Sequence, residues 1–281
     1  MNVFDLPAVD ALVKTALAED LGAGDLTTRL TVAPGTRAHA EISTKESAVI
    51  AGIPVIGKVC AAVGGMVEVR EHVHDGARVQ PAAVLAALAG PAHTLLAAER
   101  VVLNFLQHLS GVATLTAQYV AAVDGYQCRI VDTRKTIPGL RVLEKYAVRV
   151  GGGFNHRSGL DDGILIKNNH ITAAGGVQPA VTAARAGAPH GLKVEVECAT
   201  LSDVDAALSA GAEIIMLDNM SVDEIAQAVH RIAGGAVVEV SGGVKLETVR
   251  AMAATGAQII SIGALTHSAP AVDLHMLLSL E

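Results

Sequence analysis

The stretch from Glu213 to Ala264, EIIMLDNMSVDEIAQAVHRIAGGAVVEVSGGVKLETVRAMAATGAQIISIGA, decides the fold class. Between its apolar runs lie amphipathic segments, one of which opens with a capping box from Ser221 to Glu224 and ends on two glycines, as helices do. The runs that we predict as strands are EIIMLDN (213–219), VVEVSGG (237–243) and QIISIGA (258–264). Short strands that alternate with helices predict an α/β fold with a parallel sheet.

Three similar runs precede this stretch, and polar residues end nearly all of the strands. The earlier runs are CRIVDT (128–133), GILIK (163–167) and KVEVEC (193–198). In a β/α barrel the carboxyl ends of the strands meet at one mouth, whereas a doubly wound open sheet spreads them along an edge. Because so many strand ends carry polar side chains, we predict the barrel.

The first part of the chain has a different pattern. Residues 36–90 read as strands with a DG turn at Asp75-Gly76, and a helix with a polar stripe is predicted over about 92–123. We expect this stripe to pack against another domain or subunit. A length of 281 residues accommodates one large or two modest domains.

Composition excludes several classes of function. The chain has a net charge of −7 and only three Phe, three Tyr and no Trp, which disfavours nucleic-acid binding. Its three cysteines show no metal-type spacing, and the N-terminus shows no secretory signal, so we expect a cytoplasmic location. Two long uncharged runs are interrupted by polar residues or proline, so we expect no membrane span.

Positive charge is concentrated in one segment of this acidic chain. Residues 132–157, DTRKTIPGLRVLEKYAVRVGGGFNHR, carry six of its 21 basic residues. Arg134 and Lys135 follow one predicted strand, Arg157 precedes the next, and Lys167 ends that next strand. Arginine forks bind carboxylates and phosphates bidentately and lysine supplies a compact charge, so this pattern predicts anionic ligands.

Two glycine-containing loops and two acids complete the predicted mouth. VSGGV and SIGAL follow the last two strands, where backbone N–H groups can bind a phosphate, although tight turns alone also require glycine. Glu197 and Asp218 end strands and could hold ribose hydroxyls or a Mg²⁺ that accompanies a polyphosphate, or could balance the lysines. Glu195 points to the same side as Glu197, lies deeper, and could be structural.

Several long motifs in this chain closely resemble the quinolinate phosphoribosyltransferase family, a type II phosphoribosyltransferase. They are TRKTIPGLRVLEKYAVRVGGGFNHR, IKNNH, VEVE, LDN, SGG, GALTHS, EDLGAGDLTT and AERVVLNFLQHLSGVAT. The resemblance implies an N-terminal α/β sandwich domain and an incomplete (open) β/α barrel of about six to seven parallel strands. We place the sandwich at residues 1–112, with the tail 268–281 packed on it, and the barrel at 113–267.

The resemblance also implies an activity. Quinolinate and phosphoribosyl pyrophosphate (PRPP) would give nicotinate mononucleotide, pyrophosphate and CO₂ in NAD biosynthesis, with Mg²⁺ carried by PRPP and no organic cofactor. The subunits would form a head-to-tail homodimer with shared sites, or a higher oligomer, and would bind neither nucleic acid nor membrane.

Roles for single residues follow from the same resemblance. The quinolinate carboxylates would be held by Arg134, His156 and Arg157, beside Thr133, with Arg100 reaching in from the other subunit. Lys135 and Lys167 would neighbour both substrates, and Glu197 and Asp218 would hold the ribose hydroxyls and Mg²⁺. The 5′-phosphate would be held by Ser241, Gly242, Gly243, Ile262, Gly263 and Ala264. The chain departs from the usual family pattern at Asn168, where an acid is more common, and at Cys198.

Three other interpretations remain open from the residues. Lys135 or Lys167 could be the nucleophile of a Schiff-base aldolase that uses the same phosphate loops. A sensor of phosphorylated metabolites would need the same cations but would leave Glu197 and Asp218 without a purpose. A molybdenum-transport-associated group shares the family fold but typically lacks the IKxNH pattern.

Overall fold

The computed structural model describes residues 2–281, and their internal contacts divide the chain into two compact units. The first unit contains the chain up to Ala117, Thr136–Gly152 and Leu265–Glu281, and the second contains Gln118–Lys135 and Gly153–Ala264. The sequence-predicted barrel range of 113–267 includes residues 136–152, which the contacts assign to the first unit. Two contacts of that segment explain the difference, from Glu144 to His108 at 2.8 Å and from Tyr146 to Asp75 at 2.5 Å.

The chain alternates helices and strands along most of its length. A 3₁₀ helix at Val3–Asp5 is followed by α1 (Pro7–Leu21), α2 (Leu26–Thr31), β1 (Arg37–Thr44), β2 (Ala48–Val49), α3 (Val55–Val63), β3 (Glu68–Glu71), β4 (Arg78–Val79), β5 (Val84–Pro91) and α4 (Ala92–Ala122). Next come β6 (Arg129–Val131), α5 (Arg141–Val150), β7 (Ile164–Ile166), α6 (Asn168–Ala174), α7 (Val177–Gly187), β8 (Val194–Cys198) and α8 (Leu201–Ser209). The chain ends with β9 (Ile214–Asp218), α9 (Val222–Ile232), β10 (Val237–Ser241), α10 (Leu246–Ala254), β11 (Ile259–Ser261), α11 (Ala264–His267) and β12 (Leu274–Leu280).

The first unit is built on an antiparallel sheet with the strand order β12-β1-β5-β3. The DG turn does not join two paired strands, because β3 pairs with β5 and β4 pairs with β2. Asp75 instead accepts hydrogen bonds from the backbone N–H groups of Gly52 and Ile53, each at 2.9 Å, and from the Tyr146 hydroxyl. The carboxylate of Asp75 therefore fixes the turn.

Helix α4 confirms the predicted long helix to within a residue at its end. The sequence predicts that its polar stripe packs against another domain or subunit. In the structure, two residues of the stripe instead contact other parts of the first unit. Gln107 Nε2 donates to the Leu274 carbonyl at 2.9 Å, and His108 Nε2 lies 2.8 Å from Glu144 Oε1. The stripe thus satisfies buried polar groups of its own unit, and His108 has a structural role.

The second unit contains all six predicted parallel strands in the order β6-β11-β10-β9-β8-β7. Within the described chain, no ladder joins the end strands β6 and β7, so the barrel is open between them. At this opening the Phe154 N–H donates to the Ile130 carbonyl of β6 at 2.9 Å. The prediction of an incomplete β/α barrel is confirmed.

None of the helices in residues 2–281 has the length and apolar character needed to cross a membrane.

Candidate active site

A cavity of about 290 Å³ opens among the strands of the second unit, at their carboxyl ends. Its predicted lining residues are Thr133, Arg134, Lys135, His156, Arg157, Lys167, Glu197, Asp218 and Ser241. The structure therefore brings residues from five strand ends and two loops around one space. Leu165, Met216, Glu239 and Ser261 complete its wall.

Parallel pairing places three polar side chains in one row at the mouth. Ser241 of β10 is in register with Asp218 of β9 on one side and with Ser261 of β11 on the other. Neighbouring strands lie about 5 Å apart, and residues in register point to the same face. A ligand in the cavity can therefore contact all three positions.

Buried Asp132 ties the two basic segments together. Its carboxylate accepts hydrogen bonds from Asn155 Nδ2 at 2.6 Å and from the His156 N–H at 2.9 Å. Asp132 is fully buried at the end of β6, while His156 lies in the loop after the triple glycine. The sequence marks Asp132 only as a polar strand end, since its partner is more than twenty residues away along the chain.

Arg157 is fixed by the backbone and lies in a strongly charged neighbourhood. Its Nη1 donates to the Gly163 carbonyl at 3.0 Å. Burial lowers the pKa of Arg157, the Arg134 charge lowers it further, and the Glu195 and Asp162 carboxylates act in the opposite direction. Both guanidinium groups line the cavity, near enough for the charge of Arg134 to lower the pKa of Arg157, an arrangement that suits a ligand with more than one anionic group.

Lys167 and Glu197 form an ion pair at the edge of the cavity. Lys167 Nζ lies 3.0 Å from Glu197 Oε2, and the side chains are 48% and 9% exposed. An ion pair uses the charged ammonium, whereas a Schiff base requires the neutral amine. This contact favours an electrostatic role for Lys167 over that of an aldolase nucleophile.

Asp218 is oriented by its neighbour Asn219, a residue that the sequence analysis does not single out. Asn219 has a positive φ of 56°, and its Nδ2 donates to Asp218 Oδ2 at 2.9 Å. Its N–H donates to the Ser241 carbonyl at 2.9 Å. Asparagine tolerates this left-handed backbone better than most residues do. That preference is the local signal from which Asn219 could have been identified.

The two predicted phosphate loops differ in their available donors. Gly242 and Gly243 follow β10 with φ of 86° and 60°, and α10 begins shortly after them. Gly263 lies between β11 and α11, and Ala264 is the first residue of α11. Ile262 is buried, and its N–H donates to the Val131 carbonyl at 3.0 Å, so in this structure that N–H serves the sheet.

Arg100 is the predicted site residue that belongs to the first unit. It lies exposed on α4 and is absent from the lining of the cavity described above.

Glu239 is a lining residue that the sequence analysis does not identify. It is 1% exposed and lies in VVEVS, two residues before Ser241 and on the same side of β10. The alternation of this strand is the signal for it, because the residue two positions before a mouth residue faces the interior of the barrel.

Comparisons with known proteins cover nearly the whole chain. Residues 25–110 match the quinolinate phosphoribosyl transferase N-terminal domain, and residues 112–277 match the C-terminal domain of the same family. A nicotinate-nucleotide pyrophosphorylase (carboxylating) from Mycobacterium leprae is 46% identical over 93% of this chain and 94% of its own length. A probable nicotinate-nucleotide pyrophosphorylase (carboxylating) from Bacillus subtilis is 44% identical over 92% of this chain and 89% of its own length.

A solved structure agrees with these sequence matches. The crystal structure of NadC from Streptococcus pyogenes superposes with a TM-score of 0.93 at 41% identity and covers 99% of both chains. The family matches, the identities and the shared structure lead to one conclusion: this chain belongs to the quinolinate phosphoribosyl transferase family.

Proposed function

We propose that this protein transfers the phosphoribosyl group of PRPP to quinolinate and decarboxylates the product, giving nicotinate mononucleotide, pyrophosphate and CO₂ in NAD biosynthesis. The observation that carries the proposal is one cavity lined by four Arg and Lys side chains and by two strand-end carboxylates. Membership of the family supports this assignment of substrates.

Quinolinate would occupy the side of the cavity nearest the basic loops. Its two adjacent carboxylates match the close guanidinium groups of Arg134 and Arg157, beside His156 and Thr133. In a part-buried site, opposite charges attract more strongly than in water, and this attraction offsets the cost of dehydrating the dianion.

PRPP would occupy the side formed by β8 to β11. Glu197 and Asp218 would accept hydrogen bonds from the ribose hydroxyls, and Lys135 and Lys167 would lie between the two substrates. The 5′-phosphate would bind at Ser241, Gly242 and Gly243, with Gly263 and Ala264 opposite. Ile262 would contribute to this loop through its position and not as a phosphate donor, because its N–H donates to the Val131 carbonyl within the sheet.

Mg²⁺ would accompany PRPP as part of the substrate. Glu197 and Asp218 fit a hard cation because carboxylate oxygens are the ligands that Mg²⁺ prefers. The ion would neutralise charge on the departing pyrophosphate. No organic cofactor enters the proposal, since the positive charge of the ribosylated pyridinium nitrogen would stabilise the electron pair that CO₂ leaves on the adjacent ring carbon, which then takes up a proton.

In this reaction the protein would mainly orient the two substrates and stabilise the charges that develop on them. Loss of pyrophosphate creates positive character at the ribose C1, and the carboxylates of Glu197 and Asp218 lie where they would stabilise it. Lys167, paired with Glu197, would favour departure of the negatively charged leaving group. The arginines would keep the nitrogen of quinolinate aimed at C1.

The homodimer belongs to the same proposal. In the head-to-tail arrangement that the family implies, each cavity would receive Arg100 from the other subunit, and dimers could associate further. We place the enzyme in the cytoplasm, with no nucleic-acid or membrane partner.

The decisive experiment is an incubation of pure protein with quinolinate, PRPP and Mg²⁺, with assays for nicotinate mononucleotide and CO₂. Equimolar formation of both is expected. Product from nicotinate but not from quinolinate would assign a different base, and binding without turnover would favour the sensor. Borohydride trapping of a phosphosugar on Lys135 or Lys167 would instead reveal an aldolase.

A further inference from the structure

Beneath the cavity, three ionisable side chains meet in the interior of the barrel. His156 Nε2 lies 3.2 Å from Glu195 Oε2 and 3.6 Å from Glu239 Oε2. The two glutamates are 4% and 1% exposed, and the Oε1 atom of each is buried without a hydrogen-bond partner. Two buried carboxylates under a basic site require a reason, since each costs desolvation energy unless it is compensated.

The three side chains lie close enough to hold a metal ion, but the hydrogen bonding of His156 argues against a metal centre. The backbone N–H of Arg157 donates to His156 Nδ1 at 2.8 Å, so Nδ1 accepts and carries no proton. The proton of a neutral imidazole then resides on Nε2, the nitrogen that faces both carboxylates. A metal on Nε2 would displace that proton and leave an imidazolate anion, because Nδ1 already accepts from the Arg157 N–H and cannot take the proton up. The cluster is therefore one in which the imidazole Nε2–H donates to Glu195 and lies close to Glu239.

The charge of Glu195 also acts on the mouth above it. Its field stabilises the Arg157 guanidinium, which both burial and the neighbouring Arg134 charge destabilise. Glu239 contributes less charge, since burial and the Glu195 charge raise its pKa to about 7, against smaller opposing effects of His156, Ser261 and Lys167. His156 Nδ1 accepts from the backbone N–H of Arg157, so the ring that meets the acids also anchors the backbone from which the guanidinium extends.

We infer that Glu195, backed by Glu239, is a positioning residue that sets His156 and Arg157 for the base substrate. The inference rests on the proposed function and deepens it. Both ring nitrogens of His156 are engaged within the protein, so His156 acts through the placement of Arg157. The paired guanidinium groups can then stay close enough to bind adjacent carboxylates because the acid beneath them offsets their mutual repulsion.

Kinetics with each substrate varied in turn test this inference. In Glu195→Gln the amide keeps the size and still accepts from Nε2–H, but the charge is lost. The KM for quinolinate should rise roughly tenfold, as expected for the loss of a charged partner, while the KM for PRPP should stay within about twofold. Glu239→Gln should shift the quinolinate KM less. The exposed Glu247→Gln on α10 is the matched control and should leave both constants unchanged.

Two further measurements separate this inference from its rivals. Imidazole ¹⁵N NMR on the wild-type protein should show His156 as the Nε2–H tautomer, a readout that needs no turnover. An Nδ1–H tautomer, or a stoichiometric metal that is lost in Glu195→Gln, would overturn the inference. A parallel rise in both KM values, or an unchanged quinolinate KM, would also overturn it. Wild-type protein that makes no product but shows the expected tautomer would refute the proposed function and leave the cluster as a structural one.

Discussion

The side chain of Asn219 fills the space beside Gly242 in which a Cβ would have to lie. The same amide orients Asp218, so the first of the two predicted phosphate loops and the carboxylate that we propose binds ribose depend on one side chain. Gly242 also has a φ of 86°, which only glycine adopts without strain.

Gly242→Ala should therefore weaken PRPP binding through displacement of Asn219. We expect the KM for PRPP to rise about tenfold or more, as for loss of one or two hydrogen bonds to charged groups, with the quinolinate KM little changed. The matched control is Gly234→Ala, which has a similar φ of 81° but open space around the new Cβ. Both variants should lose about 1 kcal/mol of stability, and only Gly242→Ala should affect PRPP. Equal kinetic effects would contradict this account.

Because Lys167 forms an ion pair with Glu197 at the cavity, we expect that removing the charge of Lys167 slows the chemical step. Lys167→Met should lower kcat by roughly 10²–10³, the usual effect of removing one preorganised charge from a site. Single-turnover assays of pyrophosphate release will show whether the lost step is chemistry. Lys14→Met, on exposed α1 of the first unit, is the control. Wild-type kcat in Lys167→Met would remove Lys167 from the mechanism.

Because Glu239 is a buried acid, we expect the free energy of unfolding to depend on pH. Burial and the Glu195 charge raise its pKa from 4.5 to about 7 in the folded protein. The folded state therefore holds the proton more tightly than the unfolded state, so stability falls as pH rises between these values and then levels off. At about 1.4 kcal/mol per pKa unit, the loss is on the order of 3 kcal/mol.

Glu239→Gln removes this titration. Relative to the wild type, the variant should gain stability between about pH 5 and pH 8, when unfolding by urea is followed at each pH. The comparison of two proteins cancels the titrating groups that do not interact with Glu239. A stability difference that is constant with pH, or that shrinks as pH rises, would show that Glu239 is ionised in the folded state at low pH.

Subunit mixing tests the proposed role of Arg100. Arg100→Ala and Arg157→Ala should each be inactive alone, because each lacks one guanidinium in every cavity. Random exchange should restore roughly a quarter of wild-type activity, since half of the dimers would be mixed and each would hold one intact site. Exchange is verified with differently tagged subunits. Lack of recovery despite exchange would place Arg100 outside the partner's site.

Local sequence was sufficient for much of the second unit. Each of the six strands has an apolar run ended by a polar residue or glycine, and helices α8 and α9 begin with capping boxes at Thr200 and Ser221. These signals are local, because backbone periodicity and caps depend on residues within a turn or two. The predicted boundaries therefore lie within a few residues of those in the structure.

Contacts between residues far apart in the chain could not be predicted from these local signals. The DG turn was predicted among strands, yet the strands on its two sides pair elsewhere, β3 with β5 and β4 with β2, while the Asp75 carboxylate binds the N–H groups of Gly52 and Ile53. Residues 136–152 were expected with the barrel, yet their helix α5 places Glu144 against His108 in the first unit. No local pattern encodes which distant partner satisfies a buried polar group.

Local patterns in the sequence predict the α/β class, the strand ends and most of the basic and acidic residues that face the cavity, because side-chain alternation and capping are local properties. Only the tertiary structure decided how these residues act on one another. It placed Asn219 against Gly242, Lys167 on Glu197, and His156 over Glu195 and Glu239, contacts that arise when parallel strands bring residues far apart in the chain to within hydrogen-bonding distance.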